Sequence, residues 1–200
     1  MAVNLKKGQK ISLKKENGNT LSSFCVGANW GAIEKQGFFG KRMESVDLDL
    51  SIGMFDGAKK LQKTVYYGNT QEAGVKHSGD DLTGDTSGDD GFDNEVIEVN
   101  LNQIPIQIEQ IVFVLNSYQG HDFATIPFAS IRLYDGTPRR INEVVAKFNI
   151  ASDRRFSGYV SMVLGKLYRR NGEWKFSAIG EPTKDRRLNA TLNTVARDFL

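Results

Sequence analysis

The feature that most constrains the fold of this chain is an alternation of apolar and polar residues. In "VDLDLSIGMF" (Val46–Phe55), every second residue from Val46 to Met54 is apolar. Successive side chains of a strand point to opposite faces, so this spacing predicts a β-strand with one apolar face. Six other segments are predicted as strands: Leu21–Trp30, Gln62–Tyr67, Val96–Leu101, Glu109–Tyr118, Phe128–Asp135 and Gly158–Arg170.

Turn residues separate these segments. Asn171-Gly172 lies between "VLGKLYRR" and "EWKFSAIG" and predicts a tight hairpin, and Asp56-Gly57 joins two other strand segments. The chain has 200 residues, of which 40% are hydrophobic, which suits one domain over residues 1–200 with a substantial core. Many short strands with turns between them predict a mainly β fold, an antiparallel β-sandwich.

The C-terminal segment has helical spacing instead. Its apolar residues recur at intervals of four, three and four, which places them on one face of an α-helix. These residues are Leu188, Leu192, Val195 and Phe199. Pro182 and Thr183 are suited to the start of such a helix. We therefore expect a C-terminal α-helix that caps the sandwich.

The segment from Asp80 to Glu95 concentrates negative charge. It holds seven carboxylates, three glycines and no lysine or arginine. The whole chain has 24 acidic and 26 basic residues, so 24 less these seven leaves 17 acidic residues on an otherwise basic protein. Two interpretations are open: a solvated, disordered tract, or a loop that folds around a cation. Calcium prefers six to eight oxygen ligands, and glycine lets a backbone fold closely around an ion.

A second pair of carboxylates precedes this tract. Asp47 and Asp49 alternate with apolar residues, so they point to the same face of the predicted strand, with Cβ atoms roughly 7 Å apart. By itself the pair is typical of a solvated outer face. Together with the acidic tract, it favours a rigid strand that offers two carboxylates to a metal held by a flexible loop.

Other metal sites fit the spacing less well. If Glu95 were the last ligand of an EF-hand, Gly84, Thr86 and Gly88 would stand where acidic ligands belong. The acidic pattern occurs once, which excludes a tandem nonapeptide array. A single cysteine and two distant histidines disfavour zinc. Magnesium needs fewer protein oxygens than this tract provides.

These motifs resemble the TerD domain of bacterial tellurium-resistance and stress-response proteins. The resemblance rests on "VDLDLS", on "HSGDDLTGDTSGDDGFDNE" (His77–Glu95) and on "GKLYRRNGEWKFSAIGEP" (Gly165–Pro182), and it covers nearly the whole chain. It implies a β-sandwich that binds two calcium ions through the Asp-rich loop and the D-x-D strand. The family often has an acidic residue where this chain has "GANWGA". The resemblance therefore also allows that this chain binds only one of the two ions.

The resemblance also implies a ligand set. Asp47 and Asp49 match the strand pair, Asp80 and Asp81 match a "GDN" motif, and Asp93-Asn94-Glu95 match a closing "DDE". "SGDD" resembles an insertion, so Asp89 and Asp90 either bind an ion or flank one. The candidate metal ligands are Asp47, Asp49, Asp80, Asp81, Asp85, Asp89, Asp90, Asp93 and Glu95.

The implied function is calcium binding without catalysis, in which Ca²⁺ orders the acidic loop and a surface that partners recognise. The resemblance suggests other tellurium-resistance proteins as partners, with a membrane-embedded one among the candidates. The alternative is a module that binds anionic membranes or phosphate ligands with calcium. An enzyme using His121-Asp122 is disfavoured because no nucleophile is identifiable nearby, and the paired arginines are more typical of a solvated face than of a specific nucleic-acid site.

The sequence also bears on location. No segment approaches the ~18 apolar residues of a membrane span. The first residues, "MAVNLKKGQK", lack the apolar run of a secretory signal. Cys25 is the one cysteine, so no intrachain disulfide can form. We expect a cytoplasmic protein that reaches a membrane only through its partners.

Overall fold

The alternating segments form strands in a computed structural model, which describes residues 3–4, 9–14, 17–38, 40–150 and 154–200. Much of the segment considered for a secretory signal, residues 1–2 and 5–8, lies outside this range. The elements are β1 Val3–Asn4, β2 Lys10–Ser12, β3 Ser23–Trp30, β4 Ile33–Gly37, β5 Gly40–Glu44, β6 Leu48–Phe55, β7 Leu61–Val65, β8 Gln71–Glu72, β9 Val75–His77, β10 Glu95–Asn100, β11 Gln110–Ser117, β12 Ala129–Thr137, β13 Arg140–Asn149, β14 Ser161–Arg170, β15 Glu173–Thr183 and α1 Leu188–Asp198.

Two sheets pack face to face. The first has the order β1-β13-β12-β3-β10-β9-β8 and the second the order β2-β15-β14-β11-β6-β7. Neighbouring strands are antiparallel apart from β1 and β13. Apolar side chains from both sheets form one core, with Phe24 and Ile97 from the first sheet and Leu50 and Phe113 from the second. The predicted antiparallel β-sandwich is confirmed.

The seven predicted strands are all present, with ends shifted by at most three residues. Asn171 and Gly172 have φ angles of 54° and 78° in the β14–β15 turn, as a two-residue hairpin of the predicted kind requires. Sequence reasoning did not predict β13 or the separate β4–β5 ribbon. The ribbon residues Ile33–Gly37 and Gly40–Glu44 are mostly exposed, so they lack the apolar alternation by which a strand is recognised.

The helix α1 starts later than predicted. Pro182 and Thr183 end β15, where they pair with Met162 and Ser161 of β14, and the helix begins at Leu188. The predicted apolar face is confirmed, because Leu192 and Val195 are buried against the outer face of the second sheet. No helix among the described residues is long and apolar enough to cross a membrane.

Both faces of β6 are buried. Leu48, Leu50 and Ile52 point into the core, as the alternation predicts. The other face is not solvated, since Asp47 and Asp49 are 4% and 7% exposed. The solvated-face alternative for this pair is therefore wrong. One end of that face lies under α1, and the other end carries the two carboxylates.

Replacing Leu192 with alanine tests how α1 is held. The substitution removes a buried side chain that packs on Phe55 and Gly53, so we expect a loss of about 2–4 kcal/mol in the free energy of unfolding. Urea unfolding followed by circular dichroism measures it. Asn193→Ala on the exposed face should change it by less than about 0.5 kcal/mol. Equal effects of the two substitutions would contradict this packing.

Candidate metal centre

The acidic loop is held by the first sheet. The Asp85 N–H donates to Trp30 O at 3.0 Å, and the Ala32 N–H donates to Asp85 O at 3.0 Å. The indole Nε1 of Trp30, which is fully buried, donates to Val46 O at 2.7 Å. Gly84 has a φ of 66° and lies against the Trp30 ring, where a Cβ would be 2.6 Å from the ring. The loop is therefore anchored to the first sheet by hydrogen bonds and packing, which a solvated, disordered tract would lack.

Asn94 organises the loop from inside. Its Oδ1 accepts from the Trp30 N–H at 2.8 Å, and its Nδ2 donates to Asp81 Oδ2 and Asp85 Oδ1 at 3.2 Å each. One amide thus connects the first sheet to two carboxylates of the loop. Sequence reasoning noticed Asn94 only as a departure from the "DDE" motif. Its position within that motif was the one available signal for this role.

Three of the predicted ligands form the inner group: Asp47, Asp49 and Asp80. One carboxylate oxygen of each lies within 4.8 Å of the others. Asp47 and Asp49 are buried at the start of β6, whereas Asp80 is exposed on the loop. The arrangement joins a rigid strand to a loop residue, as the D-x-D pattern predicted.

The inner group is electrostatically unbalanced. Burial, followed by the neighbouring carboxylates, raises the pKa of Asp47 to about 6 and the pKa of Asp49 to about 7. Asp47 Oδ1 is buried and has no hydrogen-bond donor among the residues the structure describes. Buried carboxylates are normally paired or bound to a metal. The hard oxygens gathered here fit a divalent cation such as calcium.

Glu95 lies behind the inner group and is fully buried. Its Oε2 accepts from the Leu50 N–H at 2.7 Å, and its Oε1 accepts from the Asp81 N–H at 3.3 Å. His77 Nε2 is 3.4 Å from Oε2 and 2.9 Å from Leu50 O. Burial raises the pKa of Glu95, while His77 and the backbone donors oppose that rise.

The tautomer of His77 follows from its neighbours. The Gly79 N–H donates to Nδ1 at 3.1 Å, so Nδ1 is an acceptor and Nε2 carries the proton that reaches Leu50 O. His77 is therefore a buried packing residue beside the loop. It stabilises Glu95 and β6 without offering a free ring nitrogen to a metal.

Three further carboxylates form the outer group: Asp85, Asp89 and Asp90. One oxygen of each lies within 4.8 Å of the others. Burial raises the pKa of Asp85, whereas the Gly91 N–H and the Asn29 amide lower the pKa of Asp89. Asn29 is 4% exposed, donates Nδ2 to Asp89 Oδ1 at 2.9 Å, and leaves its own buried Oδ1 without a donor in the described part of the chain.

The inserted "SGDD" contributes two of its carboxylates, Asp89 and Asp90, to the outer group. Asp89 and Asp90 meet Asp85 and not the inner group. Asn29, which sequence reasoning did not consider, lies within "GANWGA" and adds an amide oxygen beside them. The structure therefore gathers two separate sets of oxygens, one where Asp47 and Asp49 at the start of β6 meet Asp80 of the loop, and one within the loop.

Besides Glu95, two predicted ligands lie outside both groups. The Asp81 carboxylate accepts from the Thr83 and Gly84 N–H groups at 2.9 Å each; burial disfavours its charge, but these hydrogen bonds outweigh burial and lower its pKa. Asp93 faces Arg132, whose Nε is 2.8 Å from Oδ1. Burial raises the pKa of Asp93 and the arginine opposes it. Asp93 belongs to neither group, and Asp81 shapes the loop between them.

His121 and Asp122, the pair considered for catalysis, do not form a base and its orienting carboxylate. Asp122 accepts from the Ala124 N–H at 2.9 Å and from the Gly158 N–H at 2.7 Å, so it caps a short helix and does not orient His121. Cys25 is buried, which raises the pKa of its thiol to about 12 and keeps it protonated at neutral pH.

Fold and site together define a class: a β-sandwich protein with an acidic loop that gathers candidate cation ligands against one sheet. Residues 1–199 match the family model described as the TerD domain. The chain belongs to the TerD domain family, as the motifs predicted.

Known proteins of this family cover nearly the same length. The chain is 37% identical to stress response protein SCP2 of Bacillus subtilis (strain 168), over 94% of this chain and 96% of that protein. It is 32% identical to tellurium resistance protein TerZ of Serratia marcescens, over 94% and 93%. A solved homologue of telluride resistance protein TerD from Streptomyces coelicolor A3(2) superposes with a TM-score of 0.62 at 12% identity, covering 88% of this chain and 95% of that one, which supports the fold.

The raised pKa values predict how the metal-free protein responds to pH. Above about pH 4, where unfolded aspartates release their protons, the folded chain keeps the proton on Asp47 up to about pH 6 and the proton on Asp49 up to about pH 7. These two groups therefore make folding less favourable as the pH rises through that window. Urea unfolding in EDTA at about pH 5 and about pH 7.5 measures the change in free energy.

The variant Asp49→Asn isolates this contribution. It removes one titrating group, so its free energy of unfolding should fall less than that of the wild type over the same pH range. Asp198→Asn, an exposed change on α1, should leave the wild-type pH dependence nearly unchanged between those two pH values. Identical pH profiles for wild type and Asp49→Asn would contradict the raised pKa.

Proposed function

We propose that this chain is a non-enzymatic calcium-binding protein of a tellurite-resistance or stress-response system. The observation that carries the proposal is the inner group, in which three carboxylates converge and the buried Asp47 Oδ1 has no donor among the described residues. Buried charge of one sign is stable only when it is protonated or paired with a cation. The names of the relatives support the biological setting.

Calcium suits both groups better than other common ions. It accepts six to eight oxygens in flexible geometry, and a loop with free carbonyls can complete the coordination around a few carboxylates. The inner and outer groups do not share a carboxylate, so we expect two ions. Magnesium, with its strict octahedral geometry and tightly held waters, should bind more weakly.

Calcium would act by electrostatics. It neutralises Asp47, Asp49 and Asp80, strengthens the contact between loop and sheet, and gives the loop one shape. That surface is what we expect other tellurium-resistance proteins to recognise, a membrane-embedded one among the candidates. The proposal places the chain in the cytoplasm and assigns it no catalytic residue, since Asp122 is occupied by backbone donors.

Calcium titration of the EDTA-treated protein tests the proposal. Saturation at about 100 times the dissociation constant stabilises the folded state by about 2.7 kcal/mol per site, which raises the melting temperature on the order of 5–10 °C. Calorimetry counts the ions and scanning fluorimetry measures the melting temperature. The proposal fails if saturating calcium neither releases nor absorbs heat and leaves the melting temperature unchanged.

Single substitutions separate the two groups. Asp47→Asn should abolish the inner site and leave the outer one, whereas Asp89→Asn should have the opposite effect on the number of ions bound. Asp198→Asn serves as the matched control, because it removes an exposed carboxylate on α1 and should leave both sites intact. If Asp47→Asn and Asp89→Asn each remove the same single ion, the inner and outer groups form one site and the two-ion prediction is wrong.

A second candidate function is calcium-dependent contact with anionic membranes. The specific observation is that Leu82 and Phe92, on the acidic loop, are 57% and 59% exposed. Apolar side chains beside bound calcium could enter a lipid surface. Sedimentation with phosphatidylserine vesicles, with calcium or with EDTA, tests it: wild type should pellet only with calcium and Phe92→Ser should pellet less. Absence of the protein from the pellet in calcium would exclude this function.

A further inference from the structure

A cleft of about 760 Å³ adjoins the inner group, on the outer face of the second sheet. Its floor is formed by β6 and β11, and its far side by the start of α1. Asp49 lies opposite Asn116 in the β6–β11 register, and both residues line the cleft. Its volume falls in the range of sites for small molecules. Neither the packing of the sandwich nor the proposed metal sites account for the polar and charged residues that line this cleft.

The floor carries buried polar atoms without partners. Ser51, Asn116 and Ser117 are each at most 3% exposed. Ser51 Oγ, Ser117 Oγ and Asn116 Oδ1 have no hydrogen-bond partner among the described residues. Buried polar groups are rarely left unpaired in folded proteins. Ser117 pairs with Leu48, so its side chain lies on the core side, whereas Ser51 and Asn116 lie on the outer face with Asp49. One hydroxyl and one amide oxygen in the cleft can both donate to and accept from the hydroxyl groups of a ligand.

The orientation of Asn116 is set by α1. The Thr191 hydroxyl donates to Arg187 O at 3.2 Å, so its oxygen accepts from Asn116 Nδ2 at 3.0 Å. Asn116 Nδ2 also donates to Ser161 Oγ at 2.6 Å. With its NH₂ group used in this way, the amide presents Oδ1 as a fixed acceptor on the floor of the cleft.

The far side of the cleft is positive. Arg186 and Arg187 line it, are exposed, and form no ion pair with a carboxylate of the described residues. Arg187 is the N-cap of α1 but makes no capping hydrogen bond through its side chain. The N–H groups of Leu188 and Asn189, in the first turn of this 11-residue helix, are therefore uncapped at the cleft. Helix N-termini and arginines both favour phosphate.

Aromatic rings form another side. The Tyr66 and Tyr67 ring centroids are 5.2 Å apart, and those of Tyr67 and Tyr118 are 6.1 Å apart, both in edge-on contact. Tyr67 and Tyr118 remain 37% and 66% exposed. Exposed tyrosine faces beside hydroxyl-binding groups suit the planar or sugar part of a ligand.

Asp49 links the cleft to the proposed metal site. Its carboxylate would repel an anion unless a cation neutralises the inner group. A bound cation reverses that effect and can also accept a phosphate oxygen as a ligand. Anion binding in the cleft should therefore require the metal, and this coupling rests on the proposed function.

We propose that the cleft binds a phosphorylated small molecule that carries hydroxyl groups, a nucleotide or a sugar phosphate. The phosphate lies at the Arg186–Arg187 pair and the α1 N-terminus. A cation held by Asp47, Asp49 and Asp80 would offset the negative charge of Asp49 beside it. The ligand hydroxyls meet Ser51 and Asn116. The tyrosines distinguish the two kinds of ligand, because a nucleobase gains more from stacking than a sugar does.

Calorimetric titration with adenosine 5′-monophosphate, ribose 5-phosphate, inorganic phosphate and adenosine tests the proposal. We expect both phosphate esters to bind the calcium-loaded chain, at least one of them about tenfold more tightly than inorganic phosphate, and adenosine to bind far more weakly. EDTA should weaken ester binding about tenfold or more. Calcium and ligand mixed without protein provide the blank.

Variants locate the site. The double substitution Arg186→Ala/Arg187→Ala should weaken ester binding about tenfold or more and leave calcium binding unchanged. Arg139→Ala/Arg140→Ala, an exposed basic pair at the β12–β13 turn, is the matched control and should bind as the wild type does. Ser51→Ala should weaken the esters but not inorganic phosphate. Tyr67→Ala should weaken the nucleotide more than the sugar phosphate if the natural ligand is a nucleotide.

The outcomes separate the two proposals. If calcium binds and neither ester does, or if the Arg186/Arg187 variant binds as tightly as the control pair, the cleft proposal is overturned and the metal proposal stands. If the esters bind equally with calcium and with EDTA, the coupling through Asp49 is wrong. If no calcium binds, the proposed function fails, whatever the esters do.

Discussion

One buried carboxylate, that of Glu95, connects both sheets to the acidic loop. It belongs to β10 of the first sheet, yet it accepts from Leu50 of β6 in the second sheet and from Asp81 in the loop. β7 pairs with β6 only from Ile52 onward, so the side of β6 at Leu50 that faces away from β11 has no strand neighbour. Glu95 and His77 satisfy the Leu50 N–H and C=O in its place. A buried peptide group without such partners would be costly, so this junction must form for the sandwich to close.

The same junction concentrates negative charge. Glu95, Asp49 and Asp47 are all buried; Glu95 raises the pKa of both aspartates, and Asp47 also raises the pKa of Asp49. A protein that only needed to fold could place apolar residues at these positions and avoid the desolvation of carboxylates. Holding them on a rigid strand instead fixes their geometry before any cation arrives, which reduces the ordering that binding must accomplish. The outer group relies on the loop itself, with two anchors on β3: the Asn29 amide, which donates to Asp89, and Trp30 O, which accepts from the Asp85 N–H.

The outer face of β6 changes character along its length. From Asp47 through Asp49 and Ser51 to Gly53 and Phe55, it passes from charged to polar to apolar. Helix α1 covers the apolar end, where Gly53 leaves room for Leu192. The polar end stays uncovered and borders both the inner group and the cleft. The order of side chains along β6 therefore determines where the core, helix α1 and the candidate sites lie.

The sequence alone determined seven of the strands, the apolar face of α1, the family and most of the acids that meet in space, because alternation, helical spacing and local motifs are properties of neighbouring residues. The tertiary structure decided which acids meet. It turned Asp93 toward Arg132, separated Asp89 and Asp90 from Asp47, and used Trp30, Asn29 and Asn94 to hold the loop. These outcomes depend on partners far apart in the chain, 64 residues apart for Trp30 and Asn94. No local pattern encodes such a contact, because burial and hydrogen bonding select it only when the two sheets have packed.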